Sequence, residues 1–252
     1  MLHVIVPQRE GAVGGADLHV LDLAAAQQRA GAYSPLVLSP RAPRDYLQRL
    51  RDAGLEVLNP GLLRAERYAC LPRKHEITLL HAHGYEANYL VAVMRAACRR
   101  WRQLPFVVTA HGWIETTPRL RLHSRLDRYC GRLAHVRIAS AARHARWLHA
   151  DRGVVLIVHN GVSAPHDERL EALRAGRRAI REVLGVPPQA TIIGSVGRLS
   201  PEKRVDLVLA AAHRLAPDRP GIHVLIVGGG DQRAELEALA QRPRLGGRVT
   251  FT

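Results

Sequence analysis

Short apolar runs alternate with longer stretches of helical periodicity along most of this chain. Residues 2–6 read as a strand, followed by a glycine-containing loop over 7–15 and a helix over about 16–30. A strand at 35–39, a helix at about 43–53 and a short strand at 55–58 come next. Residues 77–81 read as a strand, 86–100 as a helix, and 106–110 as a strand closed by His111-Gly112. Further strands fall at 136–140 and 154–158, the latter closed by Asn160-Gly161. The pattern then weakens into a polar, proline-bearing stretch over 163–190 with one helix at about 167–184. A second series follows: strand 191–196, helix 202–215, strand 223–227, helix 231–241 and a last strand from Val249.

Strands alternating with helices of ten or more residues imply βαβ units and a parallel sheet. Unbroken apolar runs such as FVVTAHG and VLIVGG fit strands covered on both faces. The expected fold is therefore α/β, with two Rossmann-like halves over residues 1–165 and 166–252. The second half holds three strands at most. A parallel sheet ending there has an open edge, so the second domain is expected to be incomplete, either a fragment or completed by a partner.

Composition narrows the class. With 47% hydrophobic and 23% charged residues, the chain is globular rather than disordered. No apolar run approaches a membrane span, and the start MLHVIVPQRE does not read as a signal peptide. Cys70, Cys98 and Cys130 are odd in number and far apart, which suits a reducing cytoplasm and offers no CxxC metal site. The formal charge is +15, and among 37 basic residues only Lys74 and Lys203 are lysines. Arginine-rich codon usage and an anionic partner both account for such a charge.

Candidate chemistry falls at strand ends, where open α/β sheets bind ligands. Gly14-Gly15 precede a helix and would let an anion approach its N-terminus; a flexible loop is the alternative. His111, in His111-Gly112-Trp113, can donate to a sugar hydroxyl or a phosphate, or simply pack. The run Gly197-Arg198-Leu199-Ser200-Pro201-Glu202-Lys203-Arg204 joins a strand to a helix. Ser200 and Pro201 suit its start. Lys203 in the first helical turn opposes the dipole unless an anion is also there. Arg198 offers a fork to phosphate oxygens and Lys203 a point charge. Gly228-Gly229-Gly230 form a glycine turn that either lines a ligand or only turns the chain.

His81 and His83, with no third ligand in view, do not suggest a metal site. In PRLRLHSRLDRYCGRL, Leu122, Leu126, Tyr129 and Leu133 form a stripe beside Arg121, Arg125, Arg128 and Arg132. Two readings stand: leucines in the core with arginines in water, or a face lying on an anionic membrane.

Taken together, the Gly-Gly loop, the strand-end HG, the NGV near the boundary, GRLSPEKR and VLIVGGG resemble family-4 glycosyltransferases, which have the GT-B fold. The resemblance runs over nearly the whole chain, and GRLSPEKR is its most specific part. It implies transfer of a sugar from a nucleotide-sugar donor to a glycan or lipid-linked acceptor, with retention and no cofactor or required metal. It implies that Arg198 and Lys203 grip the donor diphosphate and that His111 faces the transferred sugar. Gly14, Gly15, Gly197, Gly229 and Gly230 would line the donor. The family suggests cell-envelope or exopolysaccharide synthesis.

The family's later motif, two glutamates separated by seven residues, is absent from this sequence, so the chain itself is expected to have little or no activity. The alternatives are a non-catalytic or partner-completed binding remnant and a nucleic-acid-binding protein. Aromatic residues make up only 4% of the chain, which leaves few stacking platforms. No nucleic-acid partner is therefore expected. The expected location is cytoplasmic, with possible contact at the inner membrane face.

Overall fold

The computed structural model describes all residues except 8–12, 32, 61–64, 114–116, 149–152 and 162–166. Part of the first glycine loop, Val162 of the NGV and Pro165 lie outside the described residues. The chain divides into two compact units, Met1–Ser163 and Ala164–Thr252.

The first unit is a seven-stranded parallel sheet in the order β3-β2-β1-β4-β5-β6-β7. Its strands are β1 (Leu2–Ile5), β2 (Leu36–Leu38), β3 (Glu56–Leu58), β4 (Leu80–His83), β5 (Phe106–Ala110), β6 (Val136–Ala139) and β7 (Val154–Ile157). The connecting helices are α1 (Gly15–Arg29), α2 (Arg44–Asp52), α3 (Ala65–Lys74), α4 (Tyr85–Ala97), α5 (Arg99–Gln103), α6 (Pro118–Gly131) and α7 (Ala142–Ala145).

Alternation along each strand separates two packed layers. Leu2, Val4, Leu80, Ala82, Phe106 and Val108 pack on one face with Trp101 and Val91. On the other, Ile5 and Val37 pack with Val20 and Ala24 of α1 and Tyr46 and Leu50 of α2. By the same alternation His3, His81 and His83 share the face of Ile5. The register places His3 opposite His81 and Ile5 opposite His83.

The second unit has a three-stranded parallel sheet, β10-β9-β8. It comprises α8 (Asp167–Val183), β8 (Thr191–Val196), α9 (Val205–Leu215), β9 (Ile222–Val227), α10 (Arg233–Ala240) and β10 (Val249–Phe251). Leu209, Ala212, Val224, Ile226 and Leu236 form its core.

Structure and pattern differ at several places; the helix expected at 86–100 is two, α4 and α5, with Cys98 extended between them. The strand expected at 77–81 is β4 at Leu80–His83, because Glu76 adopts a left-handed φ of 48° and Ile77 N–H closes back on Pro72 O. Helix α3 has no counterpart in the pattern, since Pro72 lies inside it. Proline removes the N–H that would bond the carbonyl four residues back. That carbonyl, on Tyr68, instead accepts from the buried Trp101 Nε1 at 2.9 Å. Finally, the helix expected from residue 202 is split. A 3₁₀ turn, Pro201–Lys203, is followed by Arg204 at φ 50°, and α9 starts only at Val205. Lys203 therefore lies in that 3₁₀ turn, not in the first turn of an α-helix.

Candidate functional site

In the first unit the strand order reverses between β1 and β4, which makes a crevice beyond their carboxyl ends. Gly14 caps α1 there, but its N–H is already given to the Asp17 carboxylate at 2.7 Å. An incoming anion would have to displace that carboxylate or use the neighbouring Gly15. A Cβ on Gly15 would meet nothing within 4 Å.

The same crevice gathers histidines that lie far apart in sequence. His3 Nε2 is 2.7 Å from Gln27 Oε1, and His3 Nδ1 is 3.1 Å from His83 Nε2. His83 Nδ1 is 3.4 Å from His111 Nε2, and His81 Nε2 is 2.7 Å from Thr109 Oγ1. His19 on α1 stands edge-on to His111, with ring centroids 4.9 Å apart.

Burial dominates their ionisation, because a charged imidazole loses its water there. His3 and His111 are pushed down to about 4, and His81 and His83 well below the usual histidine range. His19 is lowered for the same reason. These rings are neutral at pH 7. Ring nitrogens of His3, His81 and His83 lie within 4.8 Å of one another, as do those of His19, His83 and His111, so either trio could ligate an ion. The expectation that His81 and His83 have no third imidazole nearby is thus corrected by His3. Nothing local in the sequence could place it there. The faint signal was a polar residue inside the otherwise apolar run LHVIV.

In the second unit, the loops after β8 and β9 are zipped together. Gly197 N–H donates to Val227 O at 2.9 Å, Leu199 N–H to Gly229 O at 2.9 Å, and Gln232 N–H to Leu199 O at 3.1 Å. Gly228 (φ 137°) and Gly230 (φ 155°) lie flush on the carbonyls of Gly197 and Leu199, leaving no room for a Cβ. A Cβ on Gly229, by contrast, would meet nothing within 4 Å. Leu199 anchors this ridge in the core, whereas the Arg198 side chain is exposed and only loosely held by Glu202 at 4.0 Å. Arg204, at φ 50°, pairs with Asp206 at 3.0 Å. Of the three cations in GRLSPEKR, Arg204 is thus committed within the unit. The structure brings Gly197, Arg198, Gly229 and Gly230 onto one ridge, with Lys203 in the 3₁₀ turn that follows.

The core reading of the α6 leucines is overturned. Leu122, Leu126, Tyr129 and Leu133 are 57%, 46%, 66% and 49% exposed. The helix buries Ser124, Asp127 and Gly131 instead. Asp127 is held by Asn88 Nδ2 at 2.6 Å and Trp113 Nε1 at 2.8 Å. Arg128 lies over the rings of Trp113 and Trp147, at 5.7 and 5.4 Å. Beside it Arg125, Arg132 and buried Arg137 line a cavity of about 340 Å³ with Tyr129 and Trp147. No described helix is long and apolar enough to cross a membrane.

Comparison with known proteins gives two family matches. A model described as "Glycosyltransferase Family 4" matches residues 13–164, and one described as "Glycosyl transferases group 1" matches residues 176–252. D-inositol 3-phosphate glycosyltransferase of Mycobacterium avium (strain 104) is 38% identical over 109 residues, which is 41% of this chain and 23% of that protein. Its counterpart in Mycobacterium tuberculosis (strain F11) is 38% identical over 117 residues, covering 44% of this chain and 22% of the relative. The matched stretch thus spans less than a quarter of these relatives.

Among solved structures, Anabaena Alr3699/HepE in complex with UDP-glucose superposes with a TM-score of 0.74 at 21% identity. It covers 100% of this chain and 68% of that one. A UDP-GlcNAc 2-epimerase from Neisseria meningitidis, bound to UDP-GlcNAc, gives 0.63 at 12%, covering 100% and 71%. At these identities the likeness shows the α/β fold alone, which transferases and epimerases share.

Proposed function

Because the chain belongs to glycosyltransferase family 4, with more than half its length matched, we propose that it serves sugar transfer from a nucleotide-sugar donor to a glycan or lipid-linked acceptor. Cell-envelope or exopolysaccharide synthesis is the setting. The zipped ridge of the second unit is the observation that carries this reading. Its glycines pack the two turns backbone to backbone, and Arg198 stands exposed beside them. In the reaction, negative charge grows on the diphosphate as the sugar departs. Arg198 and Lys203, rather than a metal ion, meet that charge, and fixed cations aimed at developing charge lower the barrier. On this ridge Gly229 gives the donor room; in the first unit's own crevice, Gly14 and Gly15 give a ligand room and His111 contacts a sugar.

The test is calorimetric titration of the purified chain with UDP, GDP and ADP. One of them is expected to bind, and Arg198→Ala or Lys203→Ala to weaken it by about tenfold each, the worth of one charge-assisted contact. Where turnover is measurable, kcat falls further, by about a hundredfold, because the charges act mainly on the leaving group. Unchanged affinity and rate in both variants would remove the two residues from the site.

The α6 face supports a peripheral contact with an anionic membrane through Arg121, Arg125, Arg128 and Arg132. Its apolar stripe is exposed beside the basic one, the arrangement of interfacial helices. Vesicles of phosphatidylglycerol should pull the protein down on sedimentation, and vesicles of phosphatidylcholine should not. Leu122→Ser with Leu126→Ser should cut the bound fraction severalfold. Equal retention by both lipids, or by neither, contradicts this contact.

A further inference from the structure

The structure assigns Gln27, His3 and His83 as a hydrogen-bonded chain that fixes the tautomer of His111 and leaves its buried Nδ1 bare. A neutral imidazole carries one donor and one acceptor nitrogen, so the direction of the chain follows from its end. Gln27 Oε1 only accepts, and therefore His3 Nε2 carries a proton. His3 Nδ1 is then bare and takes its bond from His83 Nε2–H at 3.1 Å. His83 Nδ1 is bare in turn and takes its bond from His111 Nε2–H at 3.4 Å. What remains is His111 Nδ1, a buried atom with no hydrogen-bond partner among the described residues.

Burial keeps the rings neutral, so the alternation of donor and acceptor holds through the chain. The consequence reverses the donor role first read for His111. A bare nitrogen accepts a bond from a hydroxyl and repels a phosphate oxygen. A ligand group that displaces the packing over this nitrogen must therefore bring a hydroxyl rather than a phosphate oxygen. That this hydroxyl belongs to the reacting sugar rests on the glycosyltransferase reading; the tautomer does not.

A divalent ion is the competing occupant of these nitrogens. Neither histidine trio includes a carboxylate, so a dication would be buried with its charge uncompensated. The hydrogen-bonded chain needs no countercharge.

Nitrogen-15 histidine labelling of the full chain, with long-range proton–nitrogen correlation at pH 7, reads each tautomer directly. His111→Gln identifies the His111 signals. Nε2 protonation is expected at His3, His83 and His111. Gln27→Glu keeps an acceptor and should preserve the pattern. Gln27→Leu, on the half-buried side of α1, should leave His111 as an exchanging mixture of both tautomers. A protonated Nδ1 on His111 in the parent would overturn the assignment. So would an unchanged pattern in Gln27→Leu, or one equivalent of zinc bound below micromolar with loss of the His3 and His83 signals. If the tautomers are as stated while His111→Gln leaves nucleotide-sugar binding untouched, the placement of His111 against the sugar fails and the tautomer assignment stands.

Discussion

Lowering the pH from 7 towards 5 unfolds the Met1–Ser163 unit cooperatively, with several protons taken up per molecule. An ordinary histidine titrates near 6.5, whereas His3 and His111 are held down to about 4, and His81 and His83 well below the ordinary value. Below 6.5 the unfolded chain binds protons that the folded unit refuses. Stability therefore falls with pH, from about 6.5 down to the folded values. Each such histidine removes about 1.4 kcal/mol per pH unit in that window, and four remove roughly 5 kcal/mol over the first unit. A domain holds only about 5–15 kcal/mol in total.

The buried carboxyls of Asp17 and Asp127 act the other way. Burial raises them, so protonation relieves a strain present at neutral pH. Their window runs from the raised folded value down to the ordinary carboxylate value, and across it falling pH steadies the fold. Trp101, Trp113 and Trp147 all lie in this unit, so tryptophan fluorescence follows it alone. A midpoint below pH 4, or a transition coupled to a single proton, would show that the cluster is not held neutral by the fold.

The second large effect is expected from glycines. Gly228→Ala and Gly230→Ala should each destabilise the Ala164–Thr252 unit by about 4 kcal/mol or more, the range of severe backbone substitutions. Both residues have positive φ, and a Cβ at either would overlap a backbone carbonyl, that of Gly197 or Leu199. Backbone cannot swing aside as a side chain tip can. Gly229→Ala is the control, because its Cβ would stand in open space, and it should change stability by about 1 kcal/mol or less. Amide hydrogen exchange in β8 and β9 reports the difference. If Gly229→Ala folds normally yet loses nucleoside diphosphate binding, Gly229 is needed for the ligand's approach. If all three variants exchange alike, the zipped ridge is not the rigid element described.

What was legible in the sequence follows from which forces act locally. Residues 106–110 and 191–196 matched their strands at both ends, because each is rich in β-branched residues and is closed by a turn, at His111-Gly112 or at Gly197. Gly197, Arg198, Gly229 and Gly230 could be read as turn residues because strand, turn and helix follow within a few residues, and the sheet then pairs the two turns. The histidine cluster was not legible. His81 and His83 look like the end of a strand when each is scored as polar. They become strand interior only once His3, Gln27 and Thr109 supply partners from 24 to 80 residues away. The exposed face of α6 was undecidable for the same reason, since periodicity finds a stripe but not which stripe is covered. Helix α3 was hidden by Pro72, whose lost backbone bond is replaced by a side chain 29 residues further on.

The polar vein through the sheet also bears on how the chain finds its register. Parallel strands of alternating apolar residues can slide against each other with little loss, because one aliphatic contact resembles the next. A one-residue slip of β1 against β4 would move His3 onto the face of Phe106 and Trp101, stranding an imidazole among hydrocarbon and breaking its bonds to Gln27 and His83. The buried histidines thus work as an alignment key for the central strands, penalising every misaligned pairing that hydrophobicity alone would accept.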